Sequence, residues 1–417
     1  MKPIFSSLGS NYTFTDSLIS FQGLVQARLS QSYLSQQFSQ LKVYFDSTFK
    51  GDTYFFYKGR DAIECALKAF SIGRGDGVIT QAFSCFAVEE GISRTGATPV
   101  YADIADSSAN LSLETVQVAF KTSAVPVKAV LVQYSLGSVP DIQKIALWCK
   151  KQKLVLIEDL AQGYGAVTEK GDPVGTIGDA TIFSFGRDKI LDAVTGGACC
   201  VRTYTHEQKK HVAQWYATLQ VSAGQSAIIR EHLYPVLTWI IRTTFSWGFS
   251  VLTLGKFLAF VGKKIGLIQS PLFVATTKAS LLPHSFVPLI VYRLEHVDTQ
   301  LAHREEIAQI YHKAFGGSAA TLSEDELMSG SLLRYPILVR NPDTIAKMLK
   351  RKNIFISDRW YRKAVDCSTL KCNSMYTHGS AANAEKLAAH IITLPTHLNI
   401  ESGDAERIIA SIKAAHV

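Results

Sequence analysis

The chain has 417 residues, 47% hydrophobic and 19% charged, which is enough apolar material for a large core and too little polarity for a disordered polypeptide. Forty-three Lys and Arg against 35 Asp and Glu leave a formal net charge of +8, but the excess is local. No acidic residue occurs from His232 to Leu294, where Arg242, Lys256, Lys263, Lys264, Lys278 and Arg293 stand; the remaining chain is close to neutral, which argues against nucleic acid as a partner.

Seven cysteines form an odd set without zinc-finger or CxxC spacing, and Met1 to Phe5 lacks a signal-peptide apolar run. Both features point to a reducing, cytoplasmic setting. Residues 1–50 are polar and Ser/Gln-rich, with Leu18, Phe21, Leu24, Val25 and Leu29 at helical spacing, and read as an N-terminal arm carrying one helix.

From about Phe55 to Val201 helical and strand patterns alternate, which predicts a doubly wound α/β domain over 51–283. Expected helices are Ala62–Ala69, Ala87–Thr95 and Ile142–Lys151; expected strands are Val78-Ile79, Thr98–Ala102, Lys128–Gln133, Leu154–Ile157 and Ala180–Phe185. After an almost continuous apolar stretch, Tyr234–Ile268, a smaller α+β domain is expected over 284–417. It would hold a long helix from Val287 to Phe315, an extended Tyr335–Val339, a helix over Asp343–Arg351 and a terminal helix after Asp404.

Three features in the α/β region could share one chemistry. Gly59 and Arg60 open a helix, where backbone N–H groups can hold an anion, although glycine there also suits a plain turn. Glu158-Asp159 ends a buried strand, where ligands of α/β sheets gather, although acids there also serve as helix caps. Lys189 follows the strand end Phe183-Ser184-Phe185, with Thr195-Gly196-Gly197 beyond. A lysine, a buried carboxylate and an anion site are what pyridoxal phosphate requires: an amine for its aldehyde, an acid for its ring nitrogen and a cradle for its phosphate.

Residues 55–203 resemble the DegT/DnrJ/EryC1/StrS family of pyridoxal-phosphate sugar aminotransferases. The resemblance rests on Gly75-Asp76-Gly77-Val78-Ile79, Gly96–Ile104, Glu158–Ala166, Gly175–Asp179 and Phe183–Lys189 spaced onward to Gly196-Gly197. A weaker tail, with Arg304, Tyr311, Trp360-Tyr361 and Leu394–His397, extends it. It implies fold type I, with a mostly parallel seven-stranded sheet in the large domain. It also implies a homodimer that moves an amino group from an amino acid, glutamate being usual, to a keto-sugar carried on a nucleotide. In that resemblance Lys189 is the Schiff-base lysine and Asp159 the partner of the ring nitrogen. Gln162 meets the ring hydroxyl region, and Ser184 with the backbone of Gly59 and Arg60 takes the phosphate. Cys85 stands where the family stacks an aromatic, so that role passes to Phe86 or Phe83. The family's Asn-Tyr-Arg turn falls at Ala279-Ser280-Leu281, which carries none of those side chains.

That departure and the Tyr234–Ile268 stretch leave a second reading open, a catalytically weak scaffold of a polysaccharide pathway. Only 13 residues separate Arg242 from Lys256, too few to span a bilayer. Plotted as one helix, Arg242, Ser246, Thr253, Lys256, Lys263 and Lys264 form a basic stripe, as in an anchor lying on the inner membrane surface. Alternatively Gly248, Gly255 and Gly262 let a buried helix pack closely.

Overall fold

The computed structural model describes residues 2–168, 170–249, 252–268, 278–317, 322–328, 331–356, 360–367 and 373–414. Two helices precede the sheet where one was expected: α1, Phe14–Leu29, and α2, Gln31–Phe49. A capping box of Thr13 and Asp16 starts α1, and Ser30 leaves helical geometry and ends it. The second helix exists because Leu34, Leu41, Phe45 and Phe49 recur at helical spacing and bury a face on the sheet. Phe45 meets Phe55, Phe183 and Phe185 edge to face, so the arm is part of the core.

Seven strands form the central sheet: β1 (Asp52–Phe56), β2 (Gly77–Gln81), β3 (Thr98–Ala102), β4 (Val127–Gln133), β5 (Val155–Asp159), β6 (Ala180–Ser184) and β7 (Gly197–Val201). Their order is β1-β7-β6-β5-β4-β2-β3, and β7 runs antiparallel to both its neighbours. The other pairs are parallel and covered on both faces. This is why β4 and β5 read as apolar runs rather than alternating ones. Helix α3 (Gly59–Ala69) follows β1 and α4 (Phe86–Ser93) follows β2. Because the strands run parallel, the ends of β1, β4, β5 and β6 share one edge, with Gln133 opposite Asp159 and Asp159 opposite Ile182.

The apolar stretch is not one helix. It forms α5 (Gln225–Thr243), a short hairpin and α6 (Leu254–Lys264). The expected basic stripe therefore breaks. Arg242 is turned inward, where its guanidinium donates to the carbonyls of Ser10, at 3.1 Å, and Tyr12. Gly255 and Gly262 do pack closely: a Cβ on Gly255 would lie 2.4 Å from the Ile241 carbonyl, and one on Gly262 2.9 Å from Ile268. No described helix is long and apolar enough to cross a membrane.

The expected long helix is broken at His296 into α7 (Val287–Glu295) and α8 (Val297–Phe315). Phe286, Val287, Leu289 and Ile290 pack with the sheet core, whereas Ile307 and Tyr311 join a second core built around β8 (Arg334–Leu338) and β9 (Ile391–Pro395). These strands pair antiparallel, and helices Pro342–Arg351 and Ser402–Lys413 complete this part. A two-residue strand, Ile4–Phe5, pairs with Ile354–Phe355 and ties the chain start to it. Cys65, Cys85, Cys149, Cys199 and Cys200 are free, whereas Cys367 is in a disulfide, a departure from a fully reduced set.

Candidate active site

The acid pair ending β5 divides its work. Glu158 accepts N–H groups from Gly175, Ile177 and Gly178 at 2.7 to 2.9 Å and the Tyr134 hydroxyl at 2.6 Å, so it anchors the loop before β6. Asp159 is buried, and its carboxylate accepts the Ala161 N–H at 3.0 Å. Burial pushes its carboxyl above the usual range, while the Ala161 N–H and the Lys189 charge oppose the rise.

Beyond β6 the chain turns through Asp188, whose φ of +60° is left-handed. Asp192 holds the turn by accepting the Asp188 and Val194 N–H groups at 2.8 and 3.0 Å. Asn11, from the chain start, donates to Asp192 and to the Lys189 carbonyl. Lys189 is thereby fixed with its amine 4.6 Å from the centre of the Trp360 ring. Burial lowers the pKa of this amine, and Cys85, Asp159 and Asp188 act against that fall.

The N-terminus of α3 lies beside these groups. Lys58, its N-cap, makes no side-chain cap bond; its carbonyl takes the Asp61 N–H at 3.1 Å, and among the described residues no capping side chain covers the N–H groups of Gly59 and Arg60. A Cβ on Gly59 would lie 3.3 Å from the Ser184 hydroxyl, which shows how closely that backbone faces the end of β6. The charged neighbours are already engaged. Arg60 pairs with Glu90, and Arg94 joins Glu90 at 2.5 Å to Asp61 at 2.6 Å. What the start of α3 leaves unpaired by charge is therefore its backbone, at Gly59 and Arg60.

Gln162 is held at both ends of its amide. It accepts the Leu136 N–H at 2.8 Å and donates to the Tyr361 hydroxyl at 2.7 Å. Of the three candidates for the ring-facing position, Cys85 interacts electrostatically with Lys189 and Tyr361. Phe83 is fully buried edge-on to Tyr361, 5.2 Å between ring centres, and Phe86 is half-buried at the first position of α4. Trp360 and Tyr361 thus wall the site from the C-terminal part of the chain. The sequence singles them out only as a weak echo.

The sequence model of the DegT/DnrJ/EryC1/StrS aminotransferase family matches residues 56–222 and 288–413, well over half of the chain. The chain belongs to that family. Over 143 residues it is 38% identical to a pleiotropic regulatory protein of Geobacillus stearothermophilus, covering 34% of this chain and 37% of that one. Over 152 residues it is 34% identical to UDP-N-acetyl-3-dehydro-alpha-D-glucosamine 3-aminotransferase of Acidithiobacillus ferrooxidans, covering 36% and 40%. A GDP-perosamine synthase of Vibrio cholerae is 35% identical over 139 residues, 33% and 37% of the two chains. The matched stretch spans two fifths or less of each of these relatives. The fold extends further: a DegT/DnrJ/EryC1/StrS aminotransferase from Brucella abortus superposes with a TM-score of 0.69 at 18% identity, covering 96% of this chain and 95% of the other. A protein described as a sugar aminotransferase of Streptococcus pneumoniae, in its PLP form, gives 0.71 at 19% identity, with 99% and 98% covered.

Between the two blocks matched to the DegT/DnrJ/EryC1/StrS family lie residues 223–287, and α5 brings two of them to the site. Glu231 accepts Lys58 Nζ at 2.9 Å and the Tyr57 hydroxyl at 2.6 Å. The Tyr234 ring lies 3.6 Å beneath the Arg187 guanidinium, two residues from Lys189. Neither residue carries a local motif. At the place of the Asn-Tyr-Arg turn, Ser280 is fully buried: its hydroxyl accepts the Ser222 N–H and donates to the Gln220 carbonyl, and its own carbonyl accepts the Tyr57 N–H. It serves the chain's own packing.

Proposed function

We propose that this protein is a pyridoxal-phosphate aminotransferase that moves an amino group from an amino acid, glutamate in the first instance, to a keto-sugar linked to a nucleotide. The observation that carries the reading is the convergence of Lys189, Asp159 and the Gly59/Ser184 cradle at one edge of the sheet. These residues fit the cofactor: Ser184 and the α3 backbone would take its phosphate, Asp159 its ring nitrogen and Lys189 its aldehyde. When bound, the cofactor supplies an electron sink for cleavage of the C–H bond next to the transferred nitrogen. Relatives named for UDP-, GDP- and dTDP-linked sugars support the substrate class.

Each group's environment suits its task. A lysine amine kept in water is protonated at neutral pH and is a poor base; burial lowers the pKa of Lys189 and brings its proton within reach of transfer. Asp159 faces the opposite pressure, and a cationic ring nitrogen would supply the charge that keeps its carboxylate ionised. Gln162, fixed by Leu136, holds Tyr361 by its hydroxyl and so positions that wall of the site.

The test is reduction with borohydride after incubation with pyridoxal phosphate, followed by peptide mapping. The label is expected on Lys189 and is expected to vanish in Lys189→Ala. Glutamate should then convert the bound cofactor to its amine form, and a keto-sugar nucleotide should reverse the change. Absence of any label would refute the assignment in favour of a scaffold without transaminase activity. The enzyme is further proposed to act as a homodimer, and light scattering that gives a monomer at working concentration would refute that part.

A further inference from the structure

Helix α6 has two faces. Gly255, Leu258, Ala259 and Gly262 recur at helical spacing and turn toward α5, where Leu258 and Ala259 pack on a small cluster of Phe5, Ile241 and Phe245. The opposite face is exposed and mixes two residue types. Phe257 is 61% exposed and Phe260 65%, with Leu254 and Ile265 exposed at the two ends. Lys256, Lys263 and Lys264 are exposed beside these side chains, Lys256 with its ammonium 5.8 Å from the Phe245 ring. Trp247, 63% exposed, sits at the N-terminal end of the helix, because its carbonyl accepts the Leu254 N–H at 2.8 Å.

Five large apolar side chains gathered at one short helix form an unusual exposed patch. Their charge setting identifies what covers it. No Asp or Glu occurs from His232 to Leu294, so nothing within the segment neutralises the three lysines. A second copy meeting this face about a two-fold axis would bring both sets of three lysines into one interface with no acidic residue of the segment to offset them. An anionic lipid surface instead accepts the aromatic side chains at headgroup depth and pairs the ammonium groups with phosphate or carboxylate. Eleven residues of helix extend about 16 Å, roughly half a bilayer core, so the helix lies in the interface plane.

We propose that α6 and Trp247 form a peripheral anchor that seats the protein on an anionic membrane surface. The close packing of Gly255 and Gly262 on α5 fixes the helix to the body of the protein, so membrane contact would orient the whole chain. The patch contains none of the residues assigned to cofactor binding, and the proposal is independent of the catalytic reading.

Co-sedimentation of the full chain tests it, with vesicles of phosphatidylcholine alone and with about 30% phosphatidylserine. Binding is expected only to the anionic vesicles, with at least tenfold release when salt rises from about 0.1 M to about 0.5 M. Lys256→Glu/Lys263→Glu/Lys264→Glu should lower the bound fraction at least tenfold, and Phe257→Ser/Phe260→Ser should do the same with every charge intact. Circular dichroism and melting curves establish that both variants fold, as exposed positions allow. Wild-type protein that ignores anionic vesicles overturns the proposal. So does light scattering in which Phe257→Ser/Phe260→Ser dissolves a dimer, because that result assigns the patch to a second copy.

Discussion

Lys58 and Glu231 are both nearly buried, 2.9 Å apart, and Glu231→Gln strips the ammonium of its counter-charge while keeping the shape of the side chain. Thr195 Oγ1, at 2.8 Å, and the amide oxygen of the new Gln are then neutral acceptors for Lys58, with no negative charge between them. Stranding one member of a buried pair costs about 3–5 kcal/mol. For a chain of this length the unfolding entropy is about 0.9 kcal/mol/K, so the lower figure corresponds to a fall in Tm of about 3 °C. The pH dependence gives a sharper signature. Burial lowers the folded pKa of Lys58 below its usual value, and Glu231 opposes that fall. Between the folded and unfolded values the unfolded chain binds the extra proton, so stability rises with pH across that window and the burial penalty is complete below it. Glu231→Gln drops the folded value further and widens the window downward. Its deficit should therefore be largest on the acid side and shrink as pH approaches the unfolded lysine value. In a Lys58→Met background the stranded charge is the Glu231 carboxylate, which Glu231→Gln removes, so the cost of Glu231→Gln should fall by at least about 2 kcal/mol in a double-mutant cycle. Melting curves across pH measure all three quantities. A Glu231→Gln variant with unchanged Tm, or one whose deficit grows with pH, would refute the buried pair.

Asp159→Asn keeps an acceptor for the Ala161 N–H, so the fold and cofactor binding should survive while half-transamination with glutamate falls at least about 10²-fold; a wild-type single-turnover rate would reduce this acid to a cap. Gly197→Ala sets a Cβ 2.6 Å from Gly59 Cα, well inside ordinary carbon contact. It should cost about 1–3 kcal/mol and weaken cofactor affinity in a titration, whereas Gly224→Ala, with nothing within 4 Å, should be silent in both. Arg242→Met removes one of the two side chains, Arg242 and Asn399, that donate to the Ser10 and Tyr12 carbonyls, and limited proteolysis should then cut within the first dozen residues faster than in wild type.

Much of the site was legible because its signals are local. A buried strand declares itself by an apolar run, and the residue after it must emerge at the sheet edge. Asp159 and Lys189 could therefore be singled out by position, while their roles and that of Ser184 came from the family resemblance. Gly59 before a helix was legible for the same reason, since helix starts carry their chemistry within a few residues. The second N-terminal helix went unseen because the apolar spacing of Leu34, Leu41, Phe45 and Phe49 lies within a Ser/Gln-rich stretch, and only the aromatic cluster across the sheet makes it core.

What the amino-acid order determined by itself was the alternation of strands and helices and the residues that end each strand. The tertiary structure decided how polar groups are shared. Glu158 and Asp159 are adjacent and chemically alike, yet one anchors a loop and the other faces a lysine, because their partners lie on different sides of β5. Arg242 belongs by composition to a basic surface, but the carbonyls of Ser10 and Tyr12, more than two hundred positions away, draw it inside, whereas Lys256, Lys263 and Lys264 are exposed. Glu231 and Tyr361 reach the site from separate segments with no motif to announce them. The physical reason is common to all these cases: periodicity is a property of neighbouring residues, whereas the cost of burying a charge or a hydroxyl is met only by whatever partner the folded chain brings within about 3 Å.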